Sequence, residues 1–177
     1  MLIFIRHSIK QPGYDLSLKP EGRDLALYAS NVILSMIQKL NDFPIELVSS
    51  PFLRTRETAQ IFSLVAFGKE GKFTIDSSLG EYRPIVGELD PETAKWGVPL
   101  DQSKEDFMKR MNEMLKKYLN KSRNKNIVII AHGTVISYLS YISGINIRGV
   151  NFMNALFLQQ DGNNFFFKVK DDTSKNP

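Results

Sequence analysis

The sequence contains no cysteine, a single tryptophan and only two histidines among its 177 residues. Without cysteine there is no disulfide framework, no thiol nucleophile and no thiolate metal site, and a reducing cytoplasm is the expected setting. No apolar run approaches the length of a membrane span. The apolar start from Met1 to Ile5 stops at Arg6, too early for a signal peptide. Internal repeats and low-complexity tracts are also missing. Charge of both signs is plentiful, 23 basic against 19 acidic residues for a net +4. The basic residues are scattered, with a modest concentration from Lys109 to Lys125, so neither a nucleic acid nor a membrane is expected as a partner. The pattern leaves the oligomeric state open.

A hydrophobic content of 42% is enough for one substantial core, and a single domain over residues 1–170 is expected, with a polar, frayed tail over 171–177. Leu2 to Ile5 reads as a buried strand that delivers Arg6 and His7 at its end. After a loop holding Pro12 and Gly13, Pro20 opens a helix to about Leu40, with Leu25, Tyr28, Ala29, Val32 and Met36 on one face. Ile45 to Val48 is a second strand, closed by Ser49-Ser50-Pro51 before another helix. A short strand near Phe73 to Ile75 precedes an irregular stretch over 79–100. Ser103 and Asp106 form a capping box for a helix whose stripe is Phe107, Met111, Met114, Leu115 and Tyr118. Ile127 to Ile130 is an uninterrupted β-branched strand with His132 at its exit. Asn154 to Leu158 and Phe165 to Val169 flank a turn at Asp161-Gly162 and read as a hairpin. This alternation predicts an α/β layered fold with a largely parallel sheet and an antiparallel edge.

Three of these strands end in polar or basic groups: Arg6 and His7, then Ser49 to Arg54, then His132. Open α/β sheets bind ligands beyond the carboxyl ends of their strands, so segments far apart in sequence are expected to share one pocket. Two arginines supply permanent charge and forked donors suited to phosphoryl oxygens, and the helix after Pro51 adds backbone donors. An imidazole beside a phosphoryl group can attack phosphorus if one ring nitrogen is bare and the other is held by a hydrogen bond. Arg56 and Glu57 are expected to be a pair on the helix surface. Tyr82, Arg83 and Trp96 either line a substrate lid or, for Trp96, tie the loop to the core.

These motifs resemble the histidine phosphatase superfamily, also called phosphoglycerate mutase-like. Arg6-His7 is similar to the family's defining pair, and Leu18-Lys19-Pro20-Glu21-Gly22 to its Leu-Thr-x-x-Gly. The run Ser49-Ser50-Pro51-Phe52-Leu53-Arg54-Thr55-Arg56-Glu57-Thr58-Ala59 looks like the Ser-Ser-Pro, Arg-Ala/Thr and Gln/Glu-Thr-Ala segment. Ala131-His132-Gly133 resembles the second-histidine motif, and Leu79-Gly80-Glu81 the Leu-x-Glu. The resemblance implies a three-layer α/β/α sandwich and a phosphatase working without metal or other cofactor. His7 would be phosphorylated, Arg6, Arg54 and His132 would bind the phosphoryl group, and Glu81 would pass protons. The implied partner is a phosphorylated small molecule or a phosphoprotein, including protein phosphohistidine.

Departures are equally specific. Ser8 stands where the family usually has glycine, and would either alter the loop or add a hydroxyl to the pocket. Lys19 stands where threonine is usual. Tyr82-Arg83-Pro84 lacks the glycine and tryptophan pattern of sugar phosphatase and mutase members, which leaves Glu88 and Asp90 as alternative acids. Three further readings stay open: a phosphoglycerate mutase-type phosphotransferase, a metal-assisted hydrolase using His7, His132 and Glu81, and a phosphate-binding domain without catalysis.

Overall fold

Leu2–Arg6 forms β1, whose alternate residues point to opposite faces and are buried on both. The computed structural model describes residues 1–82, 89–99, 101, 103–159 and 161–169; Arg83, Pro84, Glu88 and the 171–177 tail lie outside the described residues. The other strands are β2 (Ile45–Ser49), β3 (Thr74–Ile75), β4 (Asn126–Ala131), β5 (Ala155–Leu158) and β6 (Phe165–Phe167). They form one six-stranded sheet in the order β3-β2-β4-β1-β5-β6. From β3 to β1 the pairing is parallel, and β5 and β6 add an antiparallel edge.

Helices α1 (Pro20–Leu40) and α2 (Leu53–Phe67) cover one face, packing Leu25, Ala29, Ile33 and Phe62 against Ile3, Ile5, Val128 and Ile130. Helix α4 (Lys104–Lys121), which follows the short α3 (Pro91–Lys95), covers the other face together with α5 (Gly133–Ile142). There Phe107, Met111, Ile136 and Leu139 meet Leu2, Phe4, Ile127 and Ile129. Burying each large apolar side chain contributes about 2–3 kcal/mol, which is why the uninterrupted apolar runs of β1 and β4 take the centre of the sheet. The fold is the expected α/β/α sandwich. Helix α3 is an addition, in the stretch that sequence periodicity left irregular: Asp90 caps it, accepting from the amides of Glu92 and Thr93, and Pro91 opens its first turn.

Register places the site. Arg6 pairs with Ala131, and Ser49 with Ile130, so the carboxyl ends of β1, β2 and β4 are level. The chain leaves them through His7, Ser50 and His132. The His7 and Ser50 amides still bond the carbonyls of β4, at 3.0 Å each.

Candidate active site

Arg54 is fully buried on the first turn of α2 and touches every other ionisable part of the site except Arg6. Its Nε donates to His7 Nε2 at 3.2 Å, and its Nη1 to the Tyr14 carbonyl at 2.9 Å. Nη2 donates to Glu81 Oε2 at 2.9 Å and to His132 Nδ1 at 3.2 Å. Buried Asp15 adds a carboxylate 3.8 Å from Nη1. The same Asp15 accepts from the Leu53 amide at 2.7 Å, capping α2 from a loop remote in sequence, since the N-cap residue Phe52 has no side-chain acceptor.

These bonds fix both imidazole tautomers. His7 Nδ1 lies 2.7 Å from the Ser8 carbonyl, which can only accept, so Nδ1 carries the proton. Nε2 faces a guanidinium N–H, which can only donate, and is therefore bare. Burial holds the His7 imidazole well below its usual proton affinity; the Arg54 charge pushes the same way, and so do Arg6 and Lys10, against the Ser8 bond. The result is a neutral imidazole with an unprotonated Nε2. On His132 the order reverses: Nδ1 accepts from Arg54, and Nε2–H donates to Ser50 Oγ at 2.8 Å. The two rings stand edge to face with centroids 5.5 Å apart.

Arg6 approaches from the end of β1. Its Nη1 donates to the Val150 carbonyl, and its guanidinium lies 4.2 Å over the Phe152 ring. Its Nε is buried with no acceptor among the described residues. The start of α5 lies against the Arg6 side chain, where a Cβ on Gly133 would meet that Nε at 3.4 Å, an ordinary contact. Glu81 is held by its backbone as well as by Arg54. Arg110 of α4 donates to the carbonyls of Ser78 and Gly80, at 2.6 and 2.9 Å, and clasps Asp101 with its remaining donors.

The structure thus brings together His7, His132, Arg54 and Glu81, with Arg6 joining Glu81 in the wall of one adjoining cleft. Asp90 is not with them: its carboxylate is spent on Arg56 and on capping α3. Arg56 corrects the sequence expectation. It is buried, reaches the Pro51 carbonyl, and pairs with Asp90 and Glu92 at 2.6 Å each, tying α3 to α2. Its neighbour Glu57 turns to Arg23 and the Leu18 amide. Trp96 is half-exposed at the end of α3, and buried Thr93 fastens that helix through Pro51 instead. Ser8 adds no hydroxyl to the pocket, because its Oγ donates to the Gly22 carbonyl at 2.6 Å. Gly22 is required there: a Cβ would fall 2.1 Å from the Ile9 carbonyl oxygen. Among the described residues no three His, Asp or Glu side chains are grouped as a metal ion needs, and no helix is long and apolar enough to cross a membrane.

Sequence reasoning missed Asp15, Val150 and Phe152. Asp15 carried a signal, a lone carboxylate in a Pro- and Gly-containing loop next to the Arg6-His7 pair; the other two had none.

Comparison with curated proteins finds no match. Among solved structures, a putative α-ribazole-5′-phosphate phosphatase from Escherichia coli is similar over 96% of both chains, at 16% identity and a TM-score of 0.66. The mycobacterial glucosyl-3-phosphoglycerate phosphatase aligns over 88% of this chain and 87% of its own, at 19% identity and 0.60. A phosphoglycerate mutase from Plasmodium falciparum aligns over 89% and 85%, at 23% and 0.56. At such identities the likeness is one of fold. The sequence profile of branch 1 of the histidine phosphatase superfamily matches residues 5–153, a span that runs from the last residues of β1 past the second histidine, and the chain belongs to that superfamily.

Proposed function

We propose that this protein is a phosphatase that hydrolyses phosphomonoesters, or phosphohistidine on proteins, through a phosphohistidine on His7, without a metal. One observation carries the reading: a single buried guanidinium, Arg54, bonds both imidazoles and Glu81 at once. A phosphoryl dianion is the ligand for which such a cluster of fixed donors around a bare nitrogen is suited.

His7 Nε2 attacks phosphorus while its Nδ1–H stays on the Ser8 carbonyl. The P–O bond to the alcohol breaks, and Glu81 gives its proton to the departing oxygen. Arg54 and Arg6 hold phosphoryl oxygens and stabilise their charge as the group transfers, and His132, whose Nδ1 is bare in the resting site, donates to the third once that nitrogen is protonated. The dianion takes over the guanidinium that Glu81 now holds, which frees that carboxyl to carry the proton. In the second half water attacks phosphorus, Glu81 takes the water's proton, and the P–N bond breaks to release inorganic phosphate. One catalytic domain over 1–170 suits this reading, since the site draws on segments from β1 to the loop before β5. A phosphorylated small molecule is the proposed partner.

The test is phosphate release from p-nitrophenyl phosphate, glycerol phosphate and a phosphohistidine-bearing protein, with chelator present throughout. Wild type should release phosphate from at least one of them at an unchanged rate in chelator, and His7→Ala should lose at least about a thousandfold in kcat. Full turnover by His7→Ala, or activity that chelator abolishes, contradicts the mechanism.

A further inference from the structure

A cleft of about 500 Å³ opens between α4 and α5, and Arg6 and Glu81 form part of its wall. Its other surfaces are unlike the phosphoryl site. Tyr82, Phe107 and Tyr138 make an aromatic row, with ring centroids 5.4 Å and 5.9 Å apart along it. Val150 and Met108 add aliphatic surface. The Tyr138 hydroxyl is turned to Asn112, so the ring rather than the phenol is what the cleft offers. Lys104, exposed on the first turn of α4, also lines it and forms no ion pair among the described residues. Apart from Glu81, no carboxylate lines the cleft among the described residues.

We infer that this cleft receives the alcohol half of the substrate, and that the preferred substrate is a small aryl phosphomonoester, or a similarly flat one, bearing a second anionic group that pairs with Lys104. The inference rests on the phosphatase reading, because only a phosphoryl group between His7 and Glu81 fixes which way the alcohol points. A cleft of this size matches a small-molecule site, in which flat apolar walls contribute the affinity and a few polar groups set orientation. A flat ring gains ring-to-ring quadrupole contacts and more dispersion contact from the aromatic row than a glycerol or sugar alcohol. A second anion gains from Lys104, with no carboxylate among the described residues of the cleft wall to oppose it beyond the acid that the chemistry uses.

Three esters separate these effects: 6-carboxy-2-naphthyl phosphate, 2-naphthyl phosphate and glycerol 2-phosphate. Wild-type kcat/KM should fall in that order. Lys104→Glu should cost the carboxylated ester about tenfold, several times more than it costs plain naphthyl phosphate, and the difference should shrink as salt is added, as a charge contact at an exposed residue must. Tyr138→Ser should lower both naphthyl esters relative to glycerol phosphate. Equal losses on all three esters in Lys104→Glu, no advantage of the carboxylate in wild type, or turnover of a phosphoprotein far above that of every naphthyl ester would overturn the inference. The corresponding phosphonates, titrated by calorimetry, need no turnover. If no ester is hydrolysed, the phosphatase reading has failed, and the cleft is judged by whether carboxynaphthyl phosphonate binds more tightly than propyl phosphonate and loses that advantage in Lys104→Glu. Equal binding of the two phosphonates contradicts it.

Discussion

At the scale of single residues the site is governed by who donates and who accepts. The Ser8 carbonyl and the Arg54 Nε–H together leave His7 no choice of tautomer. Because burial and the Arg54 charge lower its proton affinity well below that of free imidazole, His7 should remain neutral as pH falls through the range near 6.5 where an exposed histidine titrates. NMR of the His7 ring, followed from pH 8 downwards, checks this; a titration midpoint near 6.5 would contradict it. The sign extends to stability. The unfolded chain binds this proton first, so the contribution of His7 to stability is complete above the unfolded value and is lost as pH falls below it. Glu81 allows a sharper test. Its replacement in Glu81→Gln should lower kcat/KM, which reads only the first half of the reaction, for alkyl phosphates by about 10²–10⁴, and much less for p-nitrophenyl phosphate, whose leaving group needs no proton. Equal losses on both substrates would remove Glu81 from the role of acid. The neighbourhood of Arg6, His7, Arg54 and His132 was legible because each closes a strand or opens a helix, whereas Glu81 sits in a loop and was named from the resemblance of Leu79-Gly80-Glu81 to a family motif. Arg56 was not legible: its charge suggested solvent, and only the placement of Asp90 and Glu92 around it explains its burial.

At the scale of elements, the starts of helices decide what is held where. Helix α4 has its own capping box, Ser103 with Asp106, and that was readable because both partners lie three residues apart. Helix α2 borrows Asp15 from a distant loop, a contact no local pattern encodes. Helix α1 has neither: Lys19 occupies the N-cap with extended backbone, and its side chain offers no capping acceptor to the first turn. Its ion pair with Glu21, at 3.6 Å and well exposed, contributes little. Lys19→Thr should therefore raise stability by about 1 kcal/mol, read as a shift in the denaturation midpoint with an unchanged slope. A neutral or destabilising change would show that the loop before α1, and not the cap, limits that end. Helix α3 lay hidden because five residues are too few for periodicity to register, although Asp90-Pro91-Glu92 spells a helix start.

At the scale of the whole molecule, the parallel centre of the sheet does the gathering. Three strand ends are level because β1 and β2 both pair with β4 in fixed register. Layer order and strand direction were legible in the sequence, since they follow from apolar runs alternating with helical stripes. The walls of the cleft between α4 and α5 were not, Tyr82 apart, because they depend on how two helices lie across the sheet. The most direct measurement is the fate of the phosphoryl group itself. Wild-type enzyme and Glu81→Gln are mixed with ³²P-labelled substrate, quenched in alkali during turnover, digested and mapped. The account predicts an acid-labile, alkali-stable phosphate on the peptide that contains His7, absent in His7→Ala. Sustained turnover with no phosphate on His7, or with the label on any other residue, would contradict it.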